Sequence, residues 1–144
     1  MEDWIVQAEQ LRKGYRTSGE QLEVIRGLSI NIRRGDFLAI QGASGVGKST
    51  LLHLLGGLDR PDSGRLLVCP EPDKPPLEIS SISASALNRF RNTQVGFVFQ
   101  FHHLLSEFTA LENTLLPALV RGDSYEEASA RAASLLDDFG IGDR

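Results

Sequence analysis

Eight consecutive residues, Gly42, Ala43, Ser44, Gly45, Val46, Gly47, Lys48 and Ser49, have the types and spacing to hold a chain of phosphates. They fit G-x-x-x-x-G-K-[ST] in full, and Thr50 follows as a second hydroxyl. The three glycines let the backbone curl until successive amides point inward at phosphate oxygens. A helix beginning near Lys48 aims the positive end of its dipole at the same charge. The Lys48 ammonium is placed to neutralise β- and γ-phosphates, and the Ser49 hydroxyl to offer a ligand to Mg²⁺. The segment therefore predicts a nucleoside triphosphate site, with ATP and Mg²⁺ as the bound pair.

The flanking elements suit such a loop. Phe37, Leu38, Ala39 and Ile40 form a continuous apolar run, which predicts a strand buried on both faces, as in a parallel sheet. Lys48 to Leu55 is an apolar helical stretch stopped by Gly56 and Gly57. Upstream, Ile5 to Leu11 and Val24 to Ile32 read as strands, the second with Leu28, Ile30 and Ile32 alternating against Ser29 and Asn31. Arg33 to Asp36 supplies a turn. Gly64 to Cys69 predicts a further strand. Pro70, Pro72, Pro75 and Pro76 then force an exposed loop ahead of a helical segment, Ser83 to Asn92. Val95 to Phe99 returns as an apolar strand.

Beyond Gln100 the chain changes character. Thr109 with Glu112, and Ser124 with Glu127, match the helix-opening pattern in which a hydroxyl and a carboxylate satisfy free amides reciprocally. Gly122 and Gly140 stand where left-handed helix stops belong. In the second of these helices Ala128, Ala132, Leu135, Leu136 and Phe139 share one face. The expected fold class is α/β, a P-loop nucleoside triphosphatase. It has antiparallel β elements at the front, residues 1–100 as nucleotide-binding core, and residues 101–144 as the start of a helical subdomain.

Composition narrows the partners. Hydrophobic residues make up 41% of the 144 and charged residues 24%, as in an ordinary globular protein. A net charge of -4 argues against nucleic acid or an anionic membrane surface as main partner. The single cysteine, Cys69, allows no internal disulfide and fits a reducing compartment; it is expected as a small core residue. Met1 to Trp4 is acidic, without a basic-then-apolar signal pattern. No run approaches the ~20 apolar residues of a membrane span. The expectation is a cytoplasmic protein that reaches a membrane only through a partner. His102 and His103 lack an accompanying cysteine or carboxylate cluster, so no metal site is expected there. His53 is expected to be a packed or capping histidine.

Read together with the loop, the run from Gly96 through Gln100 to Asn113 resembles the Q-loop region of ABC-transporter ATPase subunits. It fits the LolD group, the ATPase of the lipoprotein-releasing LolCDE system, better than the related MacB and FtsE ATPases. Ser49 to Asp59 and Pro61 to Gly64 look like the same group, and the resemblance runs from about Ile5 to the C-terminus. It implies an ABC-type ATP hydrolase domain, here incomplete, whose subunits pair as homodimers around two ATP molecules. It implies a LolC/LolE-like permease as partner, on the cytoplasmic face of the inner membrane, and lipoprotein release as the task. By the same resemblance Tyr15 is the A-loop aromatic that stacks on adenine; the alternative is a surface tyrosine in a loop. Gln100 is the Q-loop glutamine, touching Mg²⁺ or its water and reporting nucleotide state, or else a polar strand-end residue that caps backbone groups. Phe101 to Asn113 would meet a cytoplasmic helix of the permease. Phe101, Leu104, Leu105, Phe108 and Leu111 are apolar enough for that contact, although at least half are expected to pack internally.

Some features depart from the group. Ser106 stands where proline is usual, Ala43 and Val46 replace small or polar loop residues, and the proline-rich stretch at 70–76 is atypical. The Leu-Ser-Gly-Gly signature, the Walker B carboxylates and the switch histidine are not found in the 144 residues. Leu135, Leu136, Asp137 and Asp138 imitate Walker B, but with helical spacing. Those carboxylates hold Mg²⁺ and polarise the attacking water. The expectation is that these residues alone bind ATP weakly, hydrolyse it negligibly and tend to aggregate. Two other readings fit the loop: a non-hydrolysing module that docks on a permease or a full-length ATPase, and an unrelated small P-loop kinase.

Overall fold

The computed structural model describes residues 3–17 and 19–143. The chain divides into two compact units, Met1–Gln94 and Val95–Arg144. The division falls after Gln94, whereas the sequence changes character at Gln100.

The first unit is built on two long strands, β1 (Trp4–Thr17) and β2 (Glu20–Arg33), paired antiparallel with Ala8 opposite Ile30 and Tyr15 opposite Leu22. Both run past the spans expected from apolar alternation, because the ladder continues into polar, exposed positions. The Arg34–Gly35 turn ends β2: the Asp36 amide donates to the Arg33 carbonyl, and the Arg33 amide to the Asp36 carboxylate. β1 also pairs with β3 (Ser63–Val68), and β3 with the short β4 (Leu77–Glu78), giving the order β2-β1-β3-β4 with every pairing antiparallel.

The β1–β3 register breaks between Glu9 and Arg12, where Gln10 takes a φ of 49°. Gly64 lies against that bulge with a φ of 92°, and a Cβ there would stand 2.4 Å from the Gln10 carbonyl oxygen. Only glycine lets the two backbones approach so closely. The sheet buries Ala8, Leu11, Ile25, Leu66, Leu67 and Val68. Leu51 and Leu54 of helix α1 (Lys48–Leu55) are buried as well, as are Ile79 and two residues, Leu87 and Phe90, of helix α2 (Ala84–Gln94). α1 starts and stops as its sequence predicts, and residues 70–76 form the expected loop. Cys69 is a correction: it sits half-buried at the end of β3, its thiol donating to the Glu71 carbonyl at 3.3 Å, rather than in the core.

Two expected strands do not form ladders. Residues 36–43 carry no strand pairing, and Phe37 is fully exposed. Residues 95–99 likewise carry none, and Val98 is fully exposed. A buried strand needs neighbours on both edges to satisfy its amides and carbonyls. Among the described residues no strand runs beside either segment, so the apolar run alone does not make a sheet.

The second unit is a helical pair, α3 (Ala110–Arg121) and α4 (Tyr125–Asp138). Both capping boxes form. The Glu112 amide donates to Thr109 Oγ1 at 3.2 Å while the Thr109 amide donates to the Glu112 carboxylate at 2.8 Å. Ser124 and Glu127 repeat the arrangement at 3.2 and 3.3 Å. Gly122 and Gly140 both take the left-handed conformation expected of helix stops. The helices bury Leu115, Ala128 and Ala132, with Leu111, Ala118 and Leu119 packed around them. The apolar face of α4 is buried only over its first half: Leu135 and Phe139 are exposed. Among the described residues no helix is long and apolar enough to cross a membrane.

Candidate nucleotide-binding site

The loop between residues 42 and 50 has the local geometry of an anion cradle. Gly47 is the N-cap of α1 in a left-handed conformation, φ 105°, and no side chain caps the helix. Its missing Cβ also matters, since one would stand 2.7 Å from Val24 Cγ1 and 3.2 Å from Ile25 Cδ1 of β2. Strand β2 thus sets how closely the loop folds over the sheet. The first intrahelical bond of α1 is the Leu51 amide to the Gly47 carbonyl, 2.9 Å. The amides of Lys48, Ser49 and Thr50 precede it and have no intrahelical acceptor. No acidic side chain occupies the first turn to compete for them. Four features coincide here: open amides, a helix N-terminus, a basic side chain and no carboxylate. That chemistry suits a polyphosphate.

Lys48 Nζ donates to the carbonyls of Gly42 and Ala43 at 2.9 and 2.7 Å, so the ammonium is held across the mouth of the loop. The Val46 amide closes a turn on the Ala43 carbonyl. Ala43, Ser44, Gly45, Val46 and Ser49 are exposed, which leaves the cradle open to solvent. Ser49 lies exposed in the first turn of α1, beside the open amides.

Tyr15 lies along α1, between Thr50 in its first turn and Asp59 just beyond its last. Its hydroxyl donates to Asp59 Oδ2 at 3.0 Å and hydrogen-bonds the Thr50 side chain, while Lys13 Nζ lies 5.4 Å from the ring centroid. Burial pushes the Tyr15 phenol up; Thr50 works against that shift and Asp59 reinforces it. Asp59 itself is opposed by burial, but Lys13, the Arg60 amide and the Tyr15 hydroxyl together hold its carboxyl below its ordinary value. Lys13 is likewise opposed by burial, and Asp59, with Asp62 behind it, raises its pKa.

Gln100 belongs to the second unit and is exposed at the bend that follows residues 95–99. Around it Phe97 stacks on Phe99 at 5.3 Å, and Phe99 meets His103 edge-on at 5.1 Å. Among the described residues no group of three or more His, Cys, Asp or Glu side chains is arranged to hold a metal ion. Phe101, Leu104, Leu105 and Phe108 are 66, 65, 42 and 45% exposed, and of the five apolar residues in this stretch only Leu111 packs inward. The expectation that at least half pack internally is therefore overturned. The loop is held by a polar side chain instead of an apolar core.

The family profile described as "ABC transporter" matches residues 25–144. The chain belongs to the ABC transporter family. The lipoprotein-releasing system ATP-binding protein LolD of Alcanivorax borkumensis is 46% identical over 140 residues, covering 97% of this chain and 59% of that protein. The LolD of Bdellovibrio bacteriovorus is 48% identical over 139 residues, covering 96% and 60%. The chain thus spans about three-fifths of the length of these relatives. The dimeric, post-hydrolysis structure of the ATP-binding cassette MJ0796, bound to ADP and Pi, superposes with a TM-score of 0.79 at 32% identity, over 92% of this chain and 56% of that one. The fold is that of an ABC ATPase cassette, and the expected P-loop class stands.

Two groups in this ABC cassette escaped the sequence reading. Lys13, Asp59 and Asp62 tie the Tyr15 segment to the end of α1, across 46 chain positions in the Lys13–Asp59 bond. Asn113, named above only as the end of the Q-loop-like run, accepts from the Leu105 amide and donates to the carbonyls of Leu105, Phe108 and Thr109. The available signal for Asn113 was its place four residues after the N-cap Thr109, one helical turn in, beneath the loop. Nothing local marks Asp59.

Proposed function

We propose that this chain is the nucleotide-binding part of an ABC transporter ATPase that energises lipoprotein release from the inner membrane. The observation that carries the reading is the uncapped N-terminus of α1, with Gly47 left-handed and Lys48 held over the loop. The identity to LolD proteins supports the choice of lipoprotein release as the task.

In this reading residues 43–50 bind the triphosphate through their amides, and Lys48 turns from the Gly42 and Ala43 carbonyls toward the β- and γ-phosphates. Mg²⁺ supplies charge neutralisation at those phosphates when bound, and Ser49 would hold it. Tyr15 offers its ring to adenine. Gln100 serves as the reporting glutamine, a role taken from the family resemblance. The exposed Phe101, Leu104, Leu105 and Phe108 fit a contact with a LolC/LolE-like permease, which would place the protein on the cytoplasmic face of the membrane. Pairing of two ATPase subunits has its precedent in the MJ0796 dimer. The Walker B carboxylates that would polarise water are not found in residues 1–144, which by themselves would turn over negligible ATP.

The test is nucleotide binding by calorimetry. Lys48→Ala is expected to weaken Mg-ATP by roughly a hundredfold, the scale of a lost charge-assisted contact, with an unchanged far-ultraviolet spectrum. Wild-type affinity in Lys48→Ala would overturn the assignment of the loop.

A further inference from the structure

We propose that Asp59 and Lys13 are positioning residues for the base-stacking ring: together they fix Tyr15 from its hydroxyl and from one side, leaving it available to a nucleobase. The inference rests on the reading of Tyr15 as the adenine-stacking residue and deepens it.

The geometry is over-determined. Asp59 uses both carboxylate oxygens: Oδ1 accepts from Lys13 Nζ at 2.8 Å and from the Arg60 amide at 2.7 Å, and Oδ2 accepts from the Tyr15 hydroxyl at 3.0 Å. The carboxylate therefore has little rotational freedom, and it anchors the end of the ring. Lys13 Nζ is anchored in turn by the Arg60 carbonyl at 2.8 Å and lies over the Tyr15 ring, 5.4 Å from its centroid. Its side chain is only 11% exposed, so the ammonium is a fixed part of the structure. Asp62 holds the intervening backbone by accepting from the Gly14 amide at 2.7 Å.

Tyr15 so placed remains 40% exposed. An aromatic ring held by its neighbours stacks on a base without the entropy cost of being ordered first. A cation over the ring draws on its π density, which favours stacking with an electron-rich purine on the open side. Asp59 follows closely on α1, so the same segment that ends the phosphate-binding helix sets the ring. The distance between base and phosphate subsites is thereby fixed by one short stretch of chain.

The experiment compares Mg-ATP with Mg-tripolyphosphate by calorimetry, in the protein expressed from its whole reading frame, for Tyr15→Phe, Asp59→Asn, their double variant and Tyr15→Ala. Tyr15→Phe keeps the ring and loses the hydroxyl's ties to both Asp59 and Thr50, whereas Asp59→Asn leaves the Thr50 tie in place. The expected result is that Tyr15→Phe and Asp59→Asn each weaken ATP by roughly tenfold, the scale of one hydrogen bond to a charged group. Tripolyphosphate affinity stays at the wild-type value, and the double variant is no weaker than the worse single one. Equal loss for ATP and tripolyphosphate would reduce Asp59 to a general structural residue and overturn the proposal. Wild-type ATP affinity in Tyr15→Phe and Asp59→Asn, alongside weakened ATP in Tyr15→Ala, would overturn the positioning role but leave the stacking role standing. Unchanged ATP affinity in Tyr15→Ala would remove the stacking reading itself. If Asp59→Asn does not fold, Tyr15→Phe carries the comparison alone.

Discussion

Lys13 and Asp59 form an ion pair whose side chains are 11 and 32% exposed, partly shielded from solvent screening. Their titration gives the pair a defined pH window. The Asp59 carboxyl is held below its ordinary 3.8, so the stability it contributes is present above that value and is lost as pH falls through the lower folded value. Lys13 is raised above its ordinary 10.5, so its contribution is present below that value and is lost as pH rises through the higher folded one. Asp59→Asn should therefore destabilise the protein by about 1–2 kcal/mol at neutral pH, the worth of a hydrogen bond to a charged group after solvent screening. The deficit should shrink toward zero in strong acid. Urea denaturation of both proteins at several pH values checks this; a deficit that persists unchanged below the folded Asp59 value would refute the ion-pair account.

Elements whose signals are local were legible in the sequence, and elements that depend on remote partners were not. α1 was readable because a glycine loop, a run of apolar residues and a Gly-Gly stop all lie within sixteen positions, Gly42 to Gly57. The capping boxes of α3 and α4 were readable because each is a four-residue exchange of hydrogen bonds. Residues 37–40 and 95–99 have the composition of buried strands, yet a ladder is a property of two strands, and composition reports only one. The candidate site divides in the same way: the residues of the 42–50 loop announce themselves, while the Lys13–Asp59 bond spans 46 positions and has no periodicity to betray it. The shape of the loop before α3 was also missed, since it depends on one amide side chain. Asn113→Ala removes the acceptor for the Leu105 amide and the donor to three carbonyls. Hydrogen exchange at Leu105 should accelerate roughly tenfold, while amides of α4 keep their wild-type rates. Asn113→Asp restores an acceptor but no donor and should recover the Leu105 amide in part. Equal acceleration throughout α3 and α4 would mean that Asn113 supports the whole helical pair instead of the loop.

At the scale of the molecule, unequal satisfaction of the backbone sets what the 144 residues do alone. The antiparallel sheet satisfies its inner strands: β1 and β3 have partners on both sides, and Leu11 and Leu66 are fully buried. Residues 37–40 and 95–99 have the opposite character, apolar in sequence yet outside any ladder, with Phe37 and Val98 fully exposed. Apolar segments with unpaired amides are templates for pairing with another chain. The match to two LolD relatives covers 59 and 60% of their length. A polypeptide of residues 1–144 should therefore behave as a stable sheet carrying two adhesive segments. In hydrogen exchange, amides of β1 should be protected by orders of magnitude more than those of 37–40 and 95–99. The same polypeptide should bind a hydrophobic dye and associate as its concentration rises, and adding Mg-ATP should protect residues 43–50 without protecting 95–99. Strong protection of Phe37 to Ile40 in dilute, monomeric samples would show that the segment finds a ladder partner within these residues, and would overturn this division of the molecule.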